Sequence, residues 1–141
     1  EGLAPATIHG DLFHDNILWD ENTISAILDF EMASTGAIPY DIAVAILALT
    51  FVDDDFRWEH ARELVRAYSR VSALETIERN ALYWISRFVA ARFAVSRITD
   101  FELGPATSAG DRVHKDYRDF VRRLDRLDAI GGAAFLERVL G

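Results

Sequence analysis

The sequence of 141 residues predicts an α+β fold that is mainly α-helical. Three observations support this fold class. Apolar residues recur at helical spacing over most of the chain beyond residue 38. Near the N-terminus, a polar turn between two short apolar runs predicts one β-hairpin. Half of the residues are hydrophobic and 27% are charged, which is typical of a globular domain with a buried core.

The predicted hairpin comprises residues 17–20 and 24–28, joined by the polar turn at 20–22. Such a hairpin holds Asn16 and Asp29 at its two open ends. The two side chains are therefore expected to lie side by side, although they are far apart in the sequence. A single metal ion between them would then have a ligand from each end.

Five helices are expected after the hairpin. The first, 40–49, follows Pro39, which suits the start of a helix because its missing N–H has no partner there. Its apolar residues are nearly continuous, so it should be buried. The run Asp53-Asp54-Asp55 is expected to cap the second helix, 56–70.

The third helix, 73–98, is the longest and is expected to be central. Ser72 and Glu75 have the spacing of a capping box and should mark its start. Its predicted inward face consists of Ile77, Ala81, Trp84, Ile85, Phe88, Val95 and Ile98. Aromatic residues at helical spacing, namely Trp58, Trp84, Phe88 and Phe93, are expected in the core rather than in a stacking platform.

The chain closes with two shorter predicted helices. Residues 99–110 should form a loop, because they include Leu103-Gly104-Pro105. Helix 111–129 follows, with Tyr117, Phe120, Val121, Leu124 and Leu127 predicted to face inward. Gly131-Gly132 has the position of a C-cap before the last helix, 133–140.

Three residues suggest phosphoryl-transfer chemistry: Asp11, Asn16 and Asp29, each beside an apolar run that can hold it in place. An attacking hydroxyl must be oriented and must lose its proton, and a carboxylate such as that of Asp11 suits this task. Mg²⁺ prefers oxygen ligands and takes one or two from the protein. Asn16 and Asp29 are the predicted metal ligands.

The pattern His9-x-Asp11-x4-Asn16 resembles the catalytic loop of protein kinases, and Asp29-Phe30-Glu31 resembles their downstream metal-binding motif. Gly10 and Glu31 depart from the protein-kinase pattern, and both departures are typical of the aminoglycoside phosphotransferase and choline kinase superfamily. The stretches HGDLFHDN, ILDFEMAS and YDIAVAI are most similar to the homoserine kinases of that superfamily. The resemblance covers about residues 5–125.

This resemblance implies that residues 1–141 form the C-terminal lobe of a protein-kinase-like fold, with its small β-hairpin beside the catalytic loop. The catalytic and metal loops would occupy residues 8–31, and a helical subdomain would occupy 39–140. The N-terminal nucleotide-binding lobe of such kinases is not in this sequence, so we expect the chain alone to be inactive. The resemblance implies ATP and Mg²⁺ as cofactors.

The implied reaction transfers the γ-phosphoryl group of ATP to a small-molecule alcohol, most similar to L-homoserine giving O-phosphohomoserine. Choline or an aminoglycoside stays open as the acceptor, because kinases for these substrates share the same three site residues. An aminoglycoside enzyme would need an acidic cleft wall, whereas a homoserine enzyme would need an Arg near Asp11 to bind a carboxylate. A non-catalytic binding lobe is the alternative of a different class.

Further residues have supporting or contact roles to be tested. His14, Asp15 and Glu31 are candidates for contacts to substrate or phosphate. His9 is expected to shape the loop backbone. Asp41 either braces the catalytic loop or only places a negative charge at a helix N-terminus, where the helix dipole favours it. Three arginines are open candidates for the substrate carboxylate: Arg87, Arg92 and Arg97.

The formal net charge is −8, from 15 basic and 23 acidic side chains. A surface of that sign repels nucleic acids and anionic membranes, so we expect neither as a partner. It tolerates a substrate that carries an ammonium group. No cysteine is present, which excludes disulfides and thiolate metal sites. No apolar run is long enough to span a bilayer, and we expect a cytoplasmic protein.

Overall fold

The structure is a computed structural model that describes residues 2–103 and 115–141. The strands in these residues are β1 (Pro5–Ile8), β2 (Ile17–Asp20), β3 (Thr23–Ile27), β4 (Ser34–Ala37), β5 (Phe51–Val52) and β6 (Asp55–Phe56). The α-helices are α1 (Ile38–Leu49), α2 (Trp58–Val71), α3 (Thr76–Arg97), α4 (Arg118–Ile130) and α5 (Gly132–Leu140). The predicted α+β, mainly helical fold class is confirmed.

The strands form three small antiparallel sheets within the described residues, pairing β1 with β4, β2 with β3 and β5 with β6. The β2–β3 hairpin confirms the predicted one, and Ile17 lies opposite Ile27 at its open end. The β1–β4 pair was not predicted. Its register places Pro5 opposite Ala37 and Ile8 opposite Ser34. The loops between residues 8 and 34 therefore begin and end at the same end of the β1–β4 pair, directly before the chain enters α1.

The core lies between the helices. The central helix is α3, as predicted, because it packs against α1, α4 and α5, while α2 packs against α5. Fully buried side chains include Ile42, Ile46, Leu82, Phe120 and Phe135. Burying one such side chain stabilises the fold by about 1.5–3 kcal/mol. The predicted burial of α1 is confirmed, since residues 42–48 are all buried.

The start of α3 differs from the prediction. The capping box joins Glu75 to Glu78, whose carboxylate accepts a hydrogen bond of 2.8 Å from the Glu75 N–H. The predicted box of Ser72 and Glu75 is therefore wrong by one turn. Ser72 instead ends α2, and its N–H donates to the Tyr68 carbonyl. The pairs Ser72/Glu75 and Glu75/Glu78 have the same spacing, so spacing alone did not distinguish the two possible capping boxes.

The acidic run before α2 is not a helix cap, which corrects another prediction. Asp53 and Asp54 have φ angles of 54° and 59° and form the turn between β5 and β6. Two consecutive positive φ angles match the twist of a tight hairpin, and aspartate tolerates this conformation better than most residues. As a result, α2 begins at Trp58 instead of residue 56.

The predicted inward face of α3 is also wrong in part. Trp84, Phe88 and Val95 are 63%, 61% and 59% exposed, although Phe93 is buried as predicted. The face that packs on the neighbouring helices instead carries Leu82, Val89, Ala90, Phe93 and Ala94. Apolar residues lie on more than one side of this helix, and periodicity does not specify which side meets α1 and α4.

The structure of the region around α4 agrees with the prediction only in part. Residues Ile98–Glu102 form a turn of π-helix at the start of the predicted loop. Residues 104–110 of that loop and the first four residues of predicted helix 111–129 lie outside the described residues. The helix begins at Arg118, whose N–H donates to the Asp116 carboxylate at 2.8 Å. Val121 is 37% exposed, so its predicted inward position is wrong.

The last two elements match the prediction closely. Gly131 follows α4 with a φ angle of 76°, and its N–H donates to the Leu127 carbonyl. A positive φ at this position favours glycine, as expected for a C-cap. Helix α5 then packs Phe135 and Val139 into the core. The short connection between α4 and α5 is therefore explained by backbone conformation.

Candidate active site

The loop after β1 is held by the first turn of α1. The Asp41 carboxylate accepts hydrogen bonds from the backbone N–H groups of His9, at 2.7 Å, and Gly10, at 2.8 Å. Gly10 has a φ of 81°, and a Cβ added there would lie 2.8 Å from the Met32 carbonyl oxygen. Only glycine fits this position without strain. The backbone that leads to Asp11 therefore has two fixed donors and a close approach to the second loop.

His9 connects the two loops through its ring. Its Nε2 lies 2.9 Å from the Leu28 carbonyl oxygen, and its Nδ1 accepts from the Asp11 N–H at 3.3 Å. These partners require the proton on Nε2, because a carbonyl only accepts and a backbone N–H only donates. The ring also packs on Phe30 at 4.8 Å between centroids. His9 therefore lies between Asp11 and the residue that precedes Asp29.

Asn16 contacts Asp11 directly. Its amide Nδ2 donates to the Asp11 carbonyl at 2.8 Å and lies 3.4 Å from the Asp11 carboxylate. The backbone carbonyl of Asn16 accepts from the Leu28 N–H at 2.9 Å, which joins the two open ends of the β2–β3 hairpin. Because the nitrogen of the Asn16 amide is used in this way, its oxygen is left to face a cation.

Asp29 has an unusual backbone conformation for a residue other than glycine. Its φ and ψ angles are 59° and 69°, in the left-handed region. Its side chain is exposed and accepts a long hydrogen bond of 3.5 Å from the Glu31 N–H. An amide oxygen such as that of Asn16 and a carboxylate such as that of Asp29 are hard-oxygen donors of the kind that Mg²⁺ takes from a protein, with its remaining ligands from phosphate and water. Left-handed backbone of this kind is common at functional loops.

The environment of Asp11 perturbs its acidity. Burial raises the pKa of the Asp11 carboxyl, and the negative charges of Asp29 and Asp15 raise it further. Lys115 and His9 act in the opposite direction. The Coulombic influence of Asp29 and Asp15 places both near Asp11, so the three acidic residues form one electrostatic cluster around the loop.

The other predicted contact residues have different surroundings. Asp15 forms an ion pair with Lys115 at 2.8 Å, and this hydrogen bond lowers the pKa of Asp15. His14 and Glu31 are exposed, and their side chains make no hydrogen bond to a described residue. The structure thus brings Asp11, Asn16, Asp29 and the loop supports together, and Glu31 contacts Asp29 only through its backbone N–H.

A cavity of about 140 Å³ lies beside Asp11. Its charged lining residues are Asp11, Arg97, Asp100 and Lys115. Its aromatic lining residues are Phe13, Phe93 and Phe101. Sequence reasoning missed Asp100, Phe13 and the role of Lys115, because no local pattern relates residues that come from the loop, the end of α3 and the segment before α4.

The three candidate arginines are separated by their positions. Arg87 pairs with Asp128, and Arg92 lies over the ring of Phe93 at 4.9 Å. Only Arg97 of the three lines the cavity with Asp11. Arg97 is therefore the candidate arginine that shares a cavity with Asp11.

The described residues hold no group of three or more His, Cys, Asp or Glu side chains arranged to bind a metal ion. The candidate metal ligands remain the amide of Asn16 and the carboxylate of Asp29. Among the described helices, none combines the length and hydropathy needed to cross a bilayer.

An amide and two carboxylates on adjacent loops are the side-chain types that phosphotransferases use. Residues 2–83 match the model of the phosphotransferase enzyme family, and the chain belongs to that family. The predicted resemblance to this kinase-like superfamily is confirmed.

Curated relatives agree with this assignment. The chain is 35% identical over 93% of its length to a homoserine kinase of Nitrobacter hamburgensis, and 35% identical over 88% to one of Gluconacetobacter diazotrophicus. It is 36% identical over 92% of its length to a homoserine kinase of Nitrobacter winogradskyi. The chain spans 40%, 38% and 40% of the length of these relatives, respectively.

Proposed function

We propose that this sequence forms the C-terminal lobe of an ATP-dependent kinase that phosphorylates the hydroxyl of L-homoserine, giving O-phosphohomoserine. The observation that carries the proposal is the contact of Asn16 with Asp11 beside Asp29, which combines a base with two hard-oxygen ligands. The homoserine kinase names of relatives that are 35–36% identical support the substrate. The reaction belongs to the cytoplasm, where ATP is supplied.

Asp11 is the proposed catalytic base. Its carboxylate lines the cavity, where it accepts a hydrogen bond from the substrate hydroxyl and receives the proton as the new bond to phosphorus forms. Asn16 holds the Asp11 backbone through its amide nitrogen, which fixes the direction of the base. Most of the rate acceleration in such a reaction comes from positioning and electrostatic stabilisation rather than from the proton transfer alone.

Asn16 and Asp29 are the proposed ligands of Mg²⁺, which neutralises charge on the β- and γ-phosphates when it is bound. The hydrogen bond between the Asn16 carbonyl and the Leu28 N–H keeps the two ligands adjacent. His9 and Asp41 support this pair from behind, His9 through the Leu28 carbonyl and Asp41 through the backbone of residues 9 and 10. Both are therefore positioning residues.

The surface around the metal loop supports a second lobe. Large apolar side chains on and beside the hairpin are 40–60% exposed, namely Leu18, Trp19, Ile24, Ile27, Leu28, Phe30 and Met32. This concentration of exposed large apolar side chains in one short segment supports a binding surface here. We assign it to the nucleotide and to an upstream lobe that covers the nucleotide. The chain alone is accordingly expected to lack activity.

His14 and Glu31 stay candidates for contacts to phosphate or substrate, because both side chains are exposed near the loops. We assign Asp15 instead to Lys115, since their ion pair holds the Lys115 ammonium near Asp11. The cavity beside Asp11, about 140 Å³, has room for a small alcohol.

The test is ADP release by the full-length protein with Mg²⁺ and ATP, with homoserine, choline and an aminoglycoside assayed in parallel. Turnover with homoserine alone is expected. Turnover with choline or the aminoglycoside in place of homoserine would refute the proposed substrate. ATP binding without turnover of any of the three would favour a non-catalytic binding lobe.

A further inference from the structure

The cavity beside Asp11 carries charges of both signs around an aromatic floor. Asp11 and Asp100 contribute two formal negative charges, and Arg97 and Lys115 contribute two positive ones. The rings of Phe13, Phe93 and Phe101 supply apolar surface between them. A cation such as choline needs only negative charge and apolar surface. A ligand with both an ammonium and a carboxylate on a short carbon chain is complementary to the whole lining.

Arg97 is held in a fixed position at the cavity wall. Its side chain is only 13% exposed, and its guanidinium lies 4.5 Å from the centre of the Phe120 ring. Its Nη1 donates to the Asp116 carbonyl at 2.7 Å and to the Asp119 carboxylate at 3.2 Å. Its hydrogen bonds to described residues all leave from Nη1. Toward the part of the chain that the structure describes, the other edge of the guanidinium keeps two donors, which suit a carboxylate bound through both oxygens.

Lys115 has a different role from Arg97. Its Nζ pairs with Asp15 at 2.8 Å and lies 5.9 Å from the centre of the Phe13 ring. The pair is exposed, with the two side chains 45% and 61% accessible. Asp15 already neutralises part of the charge of Lys115. Lys115 therefore adds a positive potential at the cavity mouth rather than a fixed two-point contact.

The size of the cavity limits the ligand. Its volume of about 140 Å³ is close to that of a cavity of about 150 Å³ that holds a single benzene. A four-carbon amino acid is of comparable size, whereas an aminoglycoside of several rings is far larger. Size and charge therefore point to the same class of acceptor.

We propose that this cavity is the acceptor site of the kinase and that it selects a zwitterionic amino-acid alcohol. Arg97 binds the α-carboxylate through two hydrogen bonds, and Asp100 binds the ammonium. Asp11 accepts a hydrogen bond from the hydroxyl. The aromatic floor holds the methylene groups between these ends. This inference rests on the proposed function and adds the residues that determine its specificity.

The experiment compares three alcohols in the full-length protein: L-homoserine, propanolamine, which lacks the carboxylate, and γ-hydroxybutyrate, which lacks the ammonium. Arg97→Ala is expected to lower kcat/KM for L-homoserine by about 10- to 100-fold, mainly through KM, and to leave the value for propanolamine nearly unchanged. Arg97→Lys should recover only part of the loss, because an ammonium does not form the two-point contact. Arg87→Ala, on the same helix, is the matched control and should behave as wild type.

Asp100→Asn is the independent second variant, on an exposed side chain whose change does not threaten the core. It should lower kcat/KM for L-homoserine by about tenfold or more and spare γ-hydroxybutyrate. Equal losses for all three alcohols in the Arg97→Ala and Asp100→Asn variants would overturn the proposal. Wild-type turnover of L-homoserine with no effect of either variant would refute the acceptor site alone. Absence of wild-type turnover of L-homoserine would refute the proposed function itself.

Discussion

Replacing Asp41 with Ala tests how much the first turn of α1 contributes to the catalytic loop. The Asp41 carboxylate accepts bonds of 2.7 and 2.8 Å from the N–H groups of His9 and Gly10. A hydrogen bond to a charged group contributes about 1.5–3 kcal/mol, so two bonds to the half-buried Asp41 carboxylate contribute about 3–6 kcal/mol. If Asp41 only placed a charge at the helix N-terminus, its loss would cost about 0.3–1 kcal/mol. The two roles therefore differ several-fold in their expected effect on the free energy of unfolding.

Thermal denaturation measures this difference. Asp41→Ala is expected to lower Tm by roughly 6–24 °C, given about 2–4 °C per kcal/mol for a chain of this size. Asp41→Asn, which keeps one acceptor oxygen, should fall between this variant and wild type. Glu59→Ala is the matched control, because Glu59 is an exposed acid in the first turn of α2. A Tm loss in Asp41→Ala no larger than that in Glu59→Ala would refute the bracing role.

Two further predictions concern the metal ligands and the pH dependence of stability. Asn16→Ala and Asp29→Ala should each raise the Mg²⁺ concentration for half-maximal ADP release by about tenfold or more, and an unchanged requirement would argue against these ligands. Asp55 accepts two bonds from Arg126, at 2.7 and 2.8 Å, and this partner lowers the pKa of Asp55. Its small stabilisation is therefore present above the ordinary value of 3.8 and is lost as the pH falls through the lowered pKa. The Tm difference between wild type and Asp55→Asn should disappear in strong acid, and a constant difference would contradict this.

The parts of the site that the sequence predicted are those fixed by local chemistry. Asn16 and Asp29 were placed together because a two-stranded hairpin brings its open ends together, and the bond between the Asn16 carbonyl and the Leu28 N–H joins those ends. The start of α1 followed from Pro39, and the end of α4 followed from Gly131, which has a positive φ. In each case the restricted backbone geometry of one or two residues determines the element.

Other parts depend on contacts that no local pattern contains. The β1–β4 pair joins residues about thirty positions apart, and the ion pair of Asp15 with Lys115 spans a hundred residues. The orientation of α3 is another case, because Trp84 and Phe88 are as apolar as the residues that the neighbouring helices cover. Packing against the neighbouring helices determines which apolar face of α3 is buried, and helical periodicity alone does not predict this.

The measurement that tests the central claim most directly is the steady-state kinetics of Asp11→Asn in the full-length protein, with ATP affinity measured in parallel. The amide keeps the shape of the carboxylate but accepts a proton far less readily. We expect kcat for ADP release with homoserine to fall by about 100-fold or more while the Kd for ATP stays close to that of wild type. A comparable loss in kcat and in ATP affinity, or retention of kcat, would contradict the assignment of Asp11 as the catalytic base.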